Sequence, residues 1–242
     1  MVVLAMSLRF VLMIFASLFA TSIHAETLIF ARNEKLPEQD IAESIFRTAA
    51  AKLNLAVKIQ ALPPARAAAA NDSGEVAGEI ARIASYSLKH PNLVRVSPAH
   101  YSLTSVLYAK KVRNLEIKSP LSLYPYRVGI IRGVQHSLDA TQGVKTVEVV
   151  KDSLALFRML DADRLDVVST TGIDGEIMLR HLGFQNSITQ VHEVAKFPLY
   201  IYLNPKYAYL QAPLSKALHD MEQSGEMKKI IEREELKLIN GT

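Results

Sequence analysis

Twice along this chain a short apolar run gives way to apolar residues spaced for a helix, and that alternation decides the fold class before any motif is considered. Residues 27–31 form a continuous apolar run of strand length, and residues 55–59 alternate as a half-buried strand does. Between them Ile41, Ile45, Ala49 and Leu53 fall on one helical stripe. That helix is entered through Pro37, with Glu38 and Asp40 near its positive end. Pro63-Pro64 breaks the chain, residues 65–70 are strong helix formers ending at Asn71-Asp-Ser-Gly74, and residues 76–83 are a third strand. Residues 93–96 and 105–109 follow as strands.

The pattern then restarts. Strands are predicted at residues 126–131, 146–150 and 166–169, with helices at 153–161, capped by Ser153, and at 175–182. Residues 199–203 alternate as a last strand, and residues 213–234 are a long amphipathic helical region broken at Ser224-Gly225. Strand–helix–strand order, met twice, predicts an α/β protein of two blocks with mainly parallel sheets. No self-similar repeat of the length used by solenoids is present.

The N-terminal segment reads as an address. An 11-residue apolar run, residues 10–20, stands behind Arg9 and is followed by Thr21-Ser-Ile-His-Ala25 and the polar Glu26. A basic start, a short apolar stretch and Ile23-x-Ala25 before a polar residue describe a cleavable secretory signal. The run falls well short of the roughly 20 residues that span a bilayer. Translation starts at Met1 or at Met6, and the mature protein, residues 26–242, is expected in the periplasm. There is no Cys, which excludes disulfides, thiolate metal sites, a thiol nucleophile and a lipid-modified N-terminal cysteine. The net charge of +4 is mild and spread along the chain, a weak argument for nucleic acid. Trp is absent, so aromatic contact to a ligand falls to the 9 Tyr and 8 Phe.

Several local motifs occur in a telling order. Leu62-Pro-Pro-Ala-Arg66 is followed by Asn71-Asp-Ser-Gly-Glu75 and Gly78-Glu79-Ile-Ala-Arg82. Pro91-Asn-Leu-Val-Arg-Val96, Asp163-Arg-Leu-Asp166 and Leu218-x-x-Met221-x-x-x-Gly225 come after. With the signal, this series resembles a small-protein branch of the type 2 periplasmic solute-binding proteins of family 3, the amino-acid-binding kind. The resemblance implies a two-lobe fold, with lobe 1 formed by residues 26–106 plus 199–242 and lobe 2 by residues 107–198. Two crossing strands, at 105–109 and 199–203, would be the hinge. It further implies a monomer that closes on a small molecule and then meets an inner-membrane permease of the ABC type or a sensor receptor. The chain departs from the family in both halves of the usual amino-acid clamp. No Arg stands in Ser85-Tyr-Ser-Leu-Lys89, and Thr171 occupies the place of the Asp that holds an α-amino group. Ala77 replaces a further Asp of the branch.

Ligands of open parallel sheets bind at the carboxyl ends of strands, and that rule selects the candidates. Arg82 leaves the third strand where a guanidinium can hold a carboxylate in two parallel hydrogen bonds, or can pair with Glu79 three residues earlier. Glu79 either binds a cationic ligand group or orients Arg82. Arg66, at a helix start, reaches the cleft or makes a surface pair. Arg132-Gly133 ends the first strand of the second block, where Gly lets backbone N–H groups approach an anion. Thr170 and Thr171 are neutral donors at a strand end. Asp174 supplies a carboxylate there or caps the next helix. Tyr101 is suited to stacking on a ligand, whereas Tyr200 and Tyr202 read as packing residues, and Glu34 lies in the first loop.

Enzyme signatures are lacking. The seven His show no metal-ligand spacing, no GxSxG elbow marks a nucleophile, and no GxxxxGK or GxGxxG cradles a phosphate. No cofactor or metal is expected. The alternatives are a secreted lyase on the same fold, with Glu79 or His136 as acid or base, and a sensing module docked on a membrane receptor. A strongly shifted carboxyl or His in the cleft would favour the lyase.

Overall fold

The computed structural model describes residues 27–241, so the signal read at residues 1–25 lies outside the described residues. Among the described residues no helix is long and apolar enough to cross a membrane.

The first block runs β1 (Leu28–Asn33), α1 (Pro37–Lys52), β2 (Val57–Leu62), α2 (Pro64–Ser73) and β3 (Gly78–Ile83), as the hydrophobic periods require. A two-residue strand, β4 (Val94–Arg95), leads to the long strand β5 (Tyr101–Lys110). The second block is β6 (Arg127–Ile131), α3 (Gln135–Ala140), β7 (Thr146–Val150), α4 (Ser153–Asp161), β8 (Val167–Thr171) and α5 (Gly172–Leu182). A 16-residue strand, β9 (Ile188–Leu203), returns the chain, and α6 (Gln211–Gln223) and α7 (Glu226–Asn240) close it, separated at Ser224-Gly225.

The strands form one sheet in the order β2-β1-β3-β9-β5-β8-β6-β7, with β4 paired to β9. Each outer triplet is parallel, as expected, whereas β9 and β5 run antiparallel to one another and to their flanks. The apolar interior is divided to match. One cluster gathers Phe30, Ile41, Ile45, Phe46, Ile80, Ile201 and Leu218 beneath α1 and α6. A second gathers Val106, Tyr108, Leu156, Phe157, Leu160 and Leu179 beneath α4 and α5. On the opposite face of the first triplet, Ala67 and Ala70 of α2 lie against Ala31, where only small side chains let helix and strand approach.

The change from one core to the other falls at residues 103–105 of β5, opposite Phe197, Lys196 and Ala195 of β9. The two hinge segments read from sequence sit on either side of that point. Val106 and Tyr108 belong to the second core, and Leu199, Ile201 and Leu203 to the first. Two caps also differ from expectation. Asp152, not Ser153, caps α4 by accepting from the backbone N–H of Ala155 at 2.8 Å. Thr171, not Asp174, caps α5.

The Asp163-Arg-Leu-Asp166 motif has a structural task at the amino end of β8. Asp166 accepts from Arg127 through Nη2 at 2.8 Å and Nε at 3.0 Å, and pairs with Arg113 at 2.7 Å. Asp163 takes Lys110 at 2.8 Å and Arg113 at 3.0 Å. These carboxylates staple β5, β6 and β8 at the end away from the candidate site.

One close approach governs how α5 seats on the sheet. A Cβ added at Gly175 would come within 2.2 Å of the Tyr108 ring, which is buried and stacks edge-on against Phe157 at 5.5 Å. Overpacking of this kind costs typically 1–3 kcal/mol, and a buried ring has nowhere to turn. Gly175→Ala is therefore expected to lose about 3 kcal/mol of unfolding free energy. A urea-denaturation midpoint unchanged from wild type would refute that account of the packing.

Candidate functional site

The carboxyl ends of β1, β3, β6 and β8 all point towards the crossing of β5 and β9. Ile83 at the end of β3 lies opposite Leu199, which itself pairs with Tyr101, and Thr171 at the end of β8 lies opposite Ser105. Loops leaving these strands therefore meet across the crossing, where sheets of this kind hold ligands.

On the first side, Glu79, Arg82 and Tyr86 form a closed group. Residues three apart on a regular strand point to opposite faces. A bulge places Glu79 opposite Tyr202 and Arg82 opposite Tyr200, so the extra residue turns both side chains to one face. Arg82 then donates to Glu79 Oε2 through Nε at 2.6 Å, and through Nη2 to the Pro64 carbonyl at 3.0 Å. The Tyr86 hydroxyl donates to the other carboxylate oxygen, and its ring lies 4.7 Å from the guanidinium carbon. Glu79 is 1% exposed, and its two carboxylate oxygens are taken by Arg82 and Tyr86. The Tyr86 hydroxyl is held strongly protonated by burial first and then by its bond to Glu79.

Arg66 stands in the first turn of α2 and pairs with Glu75 at 2.7 Å on an exposed surface. Glu34 follows β1 and meets Lys35 at 3.6 Å. The Tyr101 hydroxyl donates to Glu235 of α7 at 2.9 Å. Tyr101 lines a groove with Gly172, Ile173, Glu176 and Glu235.

On the second side, the Arg132 amide donates to Val150 and its side chain makes no ion pair among the described residues. Gly133 has φ of +77° with open space where a Cβ would stand. This turn leaves room for a ligand against the backbone. Thr170 and Thr171 lie at the base, 3% and 6% exposed. Asp174 accepts from Thr170 at 2.5 Å and from Ser153 at 2.7 Å. Burial raises its carboxyl above the usual range. Below them, His136 Nδ1 lies 2.9 Å from Ser105 Oγ, and Ser169 donates to Ser137 at 3.1 Å. Burial holds the His136 imidazole neutral, with its pKa lowered to about 4.

The structure thus joins Arg82 with Glu79, and Thr170 and Thr171 with Asp174, while Arg66 and Tyr101 are engaged elsewhere. Sequence reasoning missed Glu38. It is 3% exposed in the first turn of α1, with the Thr171 side chain beside it, and its Oε1 has no partner among the described residues. Burial pushes its carboxyl up to about 7, with Asp174 and Asp40 adding to the rise. The signal was present: Glu38 lies three residues before Ile41 and seven before Ile45, on the buried stripe itself. Among the described residues no group of three or more His, Asp or Glu is placed to hold a metal ion.

This architecture is the two-lobe, type 2 periplasmic-binding-protein-like fold. The GluR0 ligand-binding core in complex with L-glutamate is similar at TM-score 0.74 and 15% identity, over 87% of this chain and 98% of that one. A histidine kinase sensor domain with similarity to periplasmic binding proteins is similar at TM-score 0.70 and 16% identity, over 86% and 95%. In sequence, an uncharacterized protein of Shewanella oneidensis is 26% identical over 190 residues, 76% of this chain and 72% of its own length. No family model matches the chain.

Proposed function

We propose that the protein is an exported solute-binding protein that closes two lobes on a small polar molecule bearing a carboxylate, for uptake through an ABC-type permease or for sensing. The observation that carries this reading is the convergence of four strand ends on the crossing of β5 and β9, where the Arg132 guanidinium, which makes no ion pair among the described residues, stands beside the open turn of Gly133. Lobe 1 is residues 26–106 plus 199–242, lobe 2 is residues 107–198, and residues 1–25 are the export signal. The ligand's carboxylate lies between Arg132-Gly133 and the edge of Arg82 that Glu79 leaves free. Thr170 and Thr171 form the base, held there by Asp174, with Glu34 at the rim and Arg66 left out, like Tyr101, because it is paired elsewhere. Tyr101 is left out because its hydroxyl is committed to Glu235. Binding and closure, with no covalent step, are the mechanism.

Support comes from the neighbours, one an L-glutamate complex and one a sensor domain. The missing clamp residues make an ordinary α-amino acid a poorer candidate than an organic acid or a short peptide. The lyase alternative is weakened at Glu79 and at His136 as a base, although the raised Glu38 carboxyl is a shifted group of the kind that reading asks for. Arg82 and Tyr86 occupy the carboxylate of Glu79, and His136 is a weak base.

A thermal-shift screen of residues 26–242 against amino acids, organic acids, polyamines and short peptides tests the reading. A ligand at 100 times its Kd adds about 2.7 kcal/mol by mass action, which for a chain of this size raises Tm by roughly 5–10 °C. The shift is expected to fall sharply in Arg132→Ala, which breaks no ion pair among the described residues. A shift that survives both Arg132→Ala and Arg82→Ala would place the ligand elsewhere. The absence of any shift across the panel would count against solute binding.

A further inference from the structure

Glu38 is a buried carboxyl at a junction between the two halves of the fold, and the site described above does not use it. Its helix, α1, is anchored in the first core through Ile41, Ile45 and Phe46. Thr171, which stands beside it, caps α5, and α5 is anchored in the second core through Leu179. The contact therefore ties one half of the molecule to the other. Around it the junction is tight: Ile173 of α5 packs against the first core, and Arg180 of α5 donates to Asn240 of α7 at 2.9 Å.

The charges facing Glu38 are acidic. Asp174 faces it from α5, Asp40 stands on its own helix, and Tyr101 reaches it from β5 with Glu235 of α7 beyond. No Lys, Arg or His is among the groups that act on the Glu38 carboxyl. One oxygen, Oε1, is buried without a partner. A protonated carboxyl suits such a setting because it carries no charge. An ionised one is costly there, since it is desolvated and lies near a second carboxylate.

We propose that Glu38 is a proton-operated latch: with its carboxyl protonated the α1–α5 junction stays shut, and loss of that proton releases the two halves to open. The inference rests on the two-lobe closure put forward above, but not on the identity or existence of a solute. Protonation and closure are linked, because a group that binds its proton more tightly in one state draws the protein into that state. The folded, shut state holds the proton up to about pH 7, against 4.5 for a solvated carboxyl. The sign follows directly: the shut state carries the extra proton, so raising the pH shifts the balance towards the open one. Over pH 5 to 8 the shut-to-open ratio is expected to fall by on the order of a hundredfold. His136 and His100 titrate at about 4, below this window.

The absence of Cys makes the test direct. Leu88, 83% exposed in the first half, and Leu138, 43% exposed on α3 in the second, are replaced as Leu88→Cys and Leu138→Cys and spin-labelled. Interlabel distances are then measured by pulsed dipolar spectroscopy from pH 5 to pH 8 without added solute. The labelled protein is expected to lose its short-distance population as pH rises, and the same pair carrying Glu38→Gln to keep it throughout. A distance distribution that does not change with pH overturns the proposal, and so does a Glu38→Gln protein that opens just as the parent does. Should Glu38→Gln fail to fold, Asp174→Asn removes the facing carboxyl, which helps to hold the proton on Glu38, and is expected to move the transition to lower pH; an unmoved transition overturns the proposal. Failure of the solute screen leaves this measurement unaffected, so the two readings fail separately.

Discussion

Taking the folded protein from pH 6.5 to pH 4 is expected to remove about 6 kcal/mol of stability through two buried imidazoles, at the scale of 1.36 kcal/mol per pKa unit. His100 is 1% exposed with neither ring nitrogen partnered, and burial lowers its pKa to about 4. His136 is 8% exposed, and burial lowers it equally, with Asp139 opposing slightly. Both pKa values are depressed in the folded state, so the unfolded chain takes up protons first as the pH falls. The stability is fully present above about 6.5 and drains away towards 4. Glu38 works in the opposite direction, gaining up to about 3 kcal/mol as the pH falls from 7 to 4.5, so the net loss is about half the imidazole contribution. Replacing His100 by Leu removes a buried ring that has no hydrogen bond to lose, and such exchanges are near neutral or stabilising at neutral pH. His100→Leu is expected to halve the imidazole share of the acid loss. Urea titrations at pH 7, 6, 5 and 4 decide the matter. An acid slope equal to that of wild type would mean His100 is not the source.

The second large effect lies at Glu79. Its carboxylate is nearly wholly buried and serves two partners at once, the Arg82 guanidinium and the Tyr86 hydroxyl. Removing one member of such a group strands the other as an uncompensated buried charge, at a cost of about 3–5 kcal/mol. Glu79→Ala is expected to fall in that range by urea denaturation. Arg82 keeps its bond to the Pro64 carbonyl and 13% of its side-chain surface, which sets the loss at the lower end. The paired exchange Glu79→Leu with Arg82→Leu is expected to recover much of the loss, because neither charge is then stranded. If the paired variant is as unstable as the two single losses added, the group is not coupled as described.

Much of the architecture was legible in the sequence because its elements carry their own periods. β1, α1, β2 and α2 announce themselves through the apolar run at residues 27–31, the four-residue stripe from Ile41 and the break at Pro63-Pro64. The first ten residues of β9 were not legible. Thr189, Gln190, His192, Glu193 and Lys196 face solvent or the crossing at irregular intervals, and two register shifts against β5 destroy any period of two. Nor does a sequence show a bulge, so the pairing of Glu79 with Arg82 was weighed only as an alternative to ligand binding. Glu38 is the instructive case. It was read for its charge at a helix start, where acidic residues are ordinary, although its position on the stripe placed it inside.

The order of strands has a consequence for how the chain is made. β9 comes near the end of the chain and takes its place in the middle of the sheet, between β3 and β5. Until residues 188–203 have been synthesised, β3 and β5 have no neighbour to join them, and each block keeps an open edge. Contacts that bridge such long separations form slowly, so an unfinished chain cannot settle into its final sheet. A polypeptide built this way has its two blocks unjoined until its last quarter arrives, so the middle of its sheet is the last part that can close.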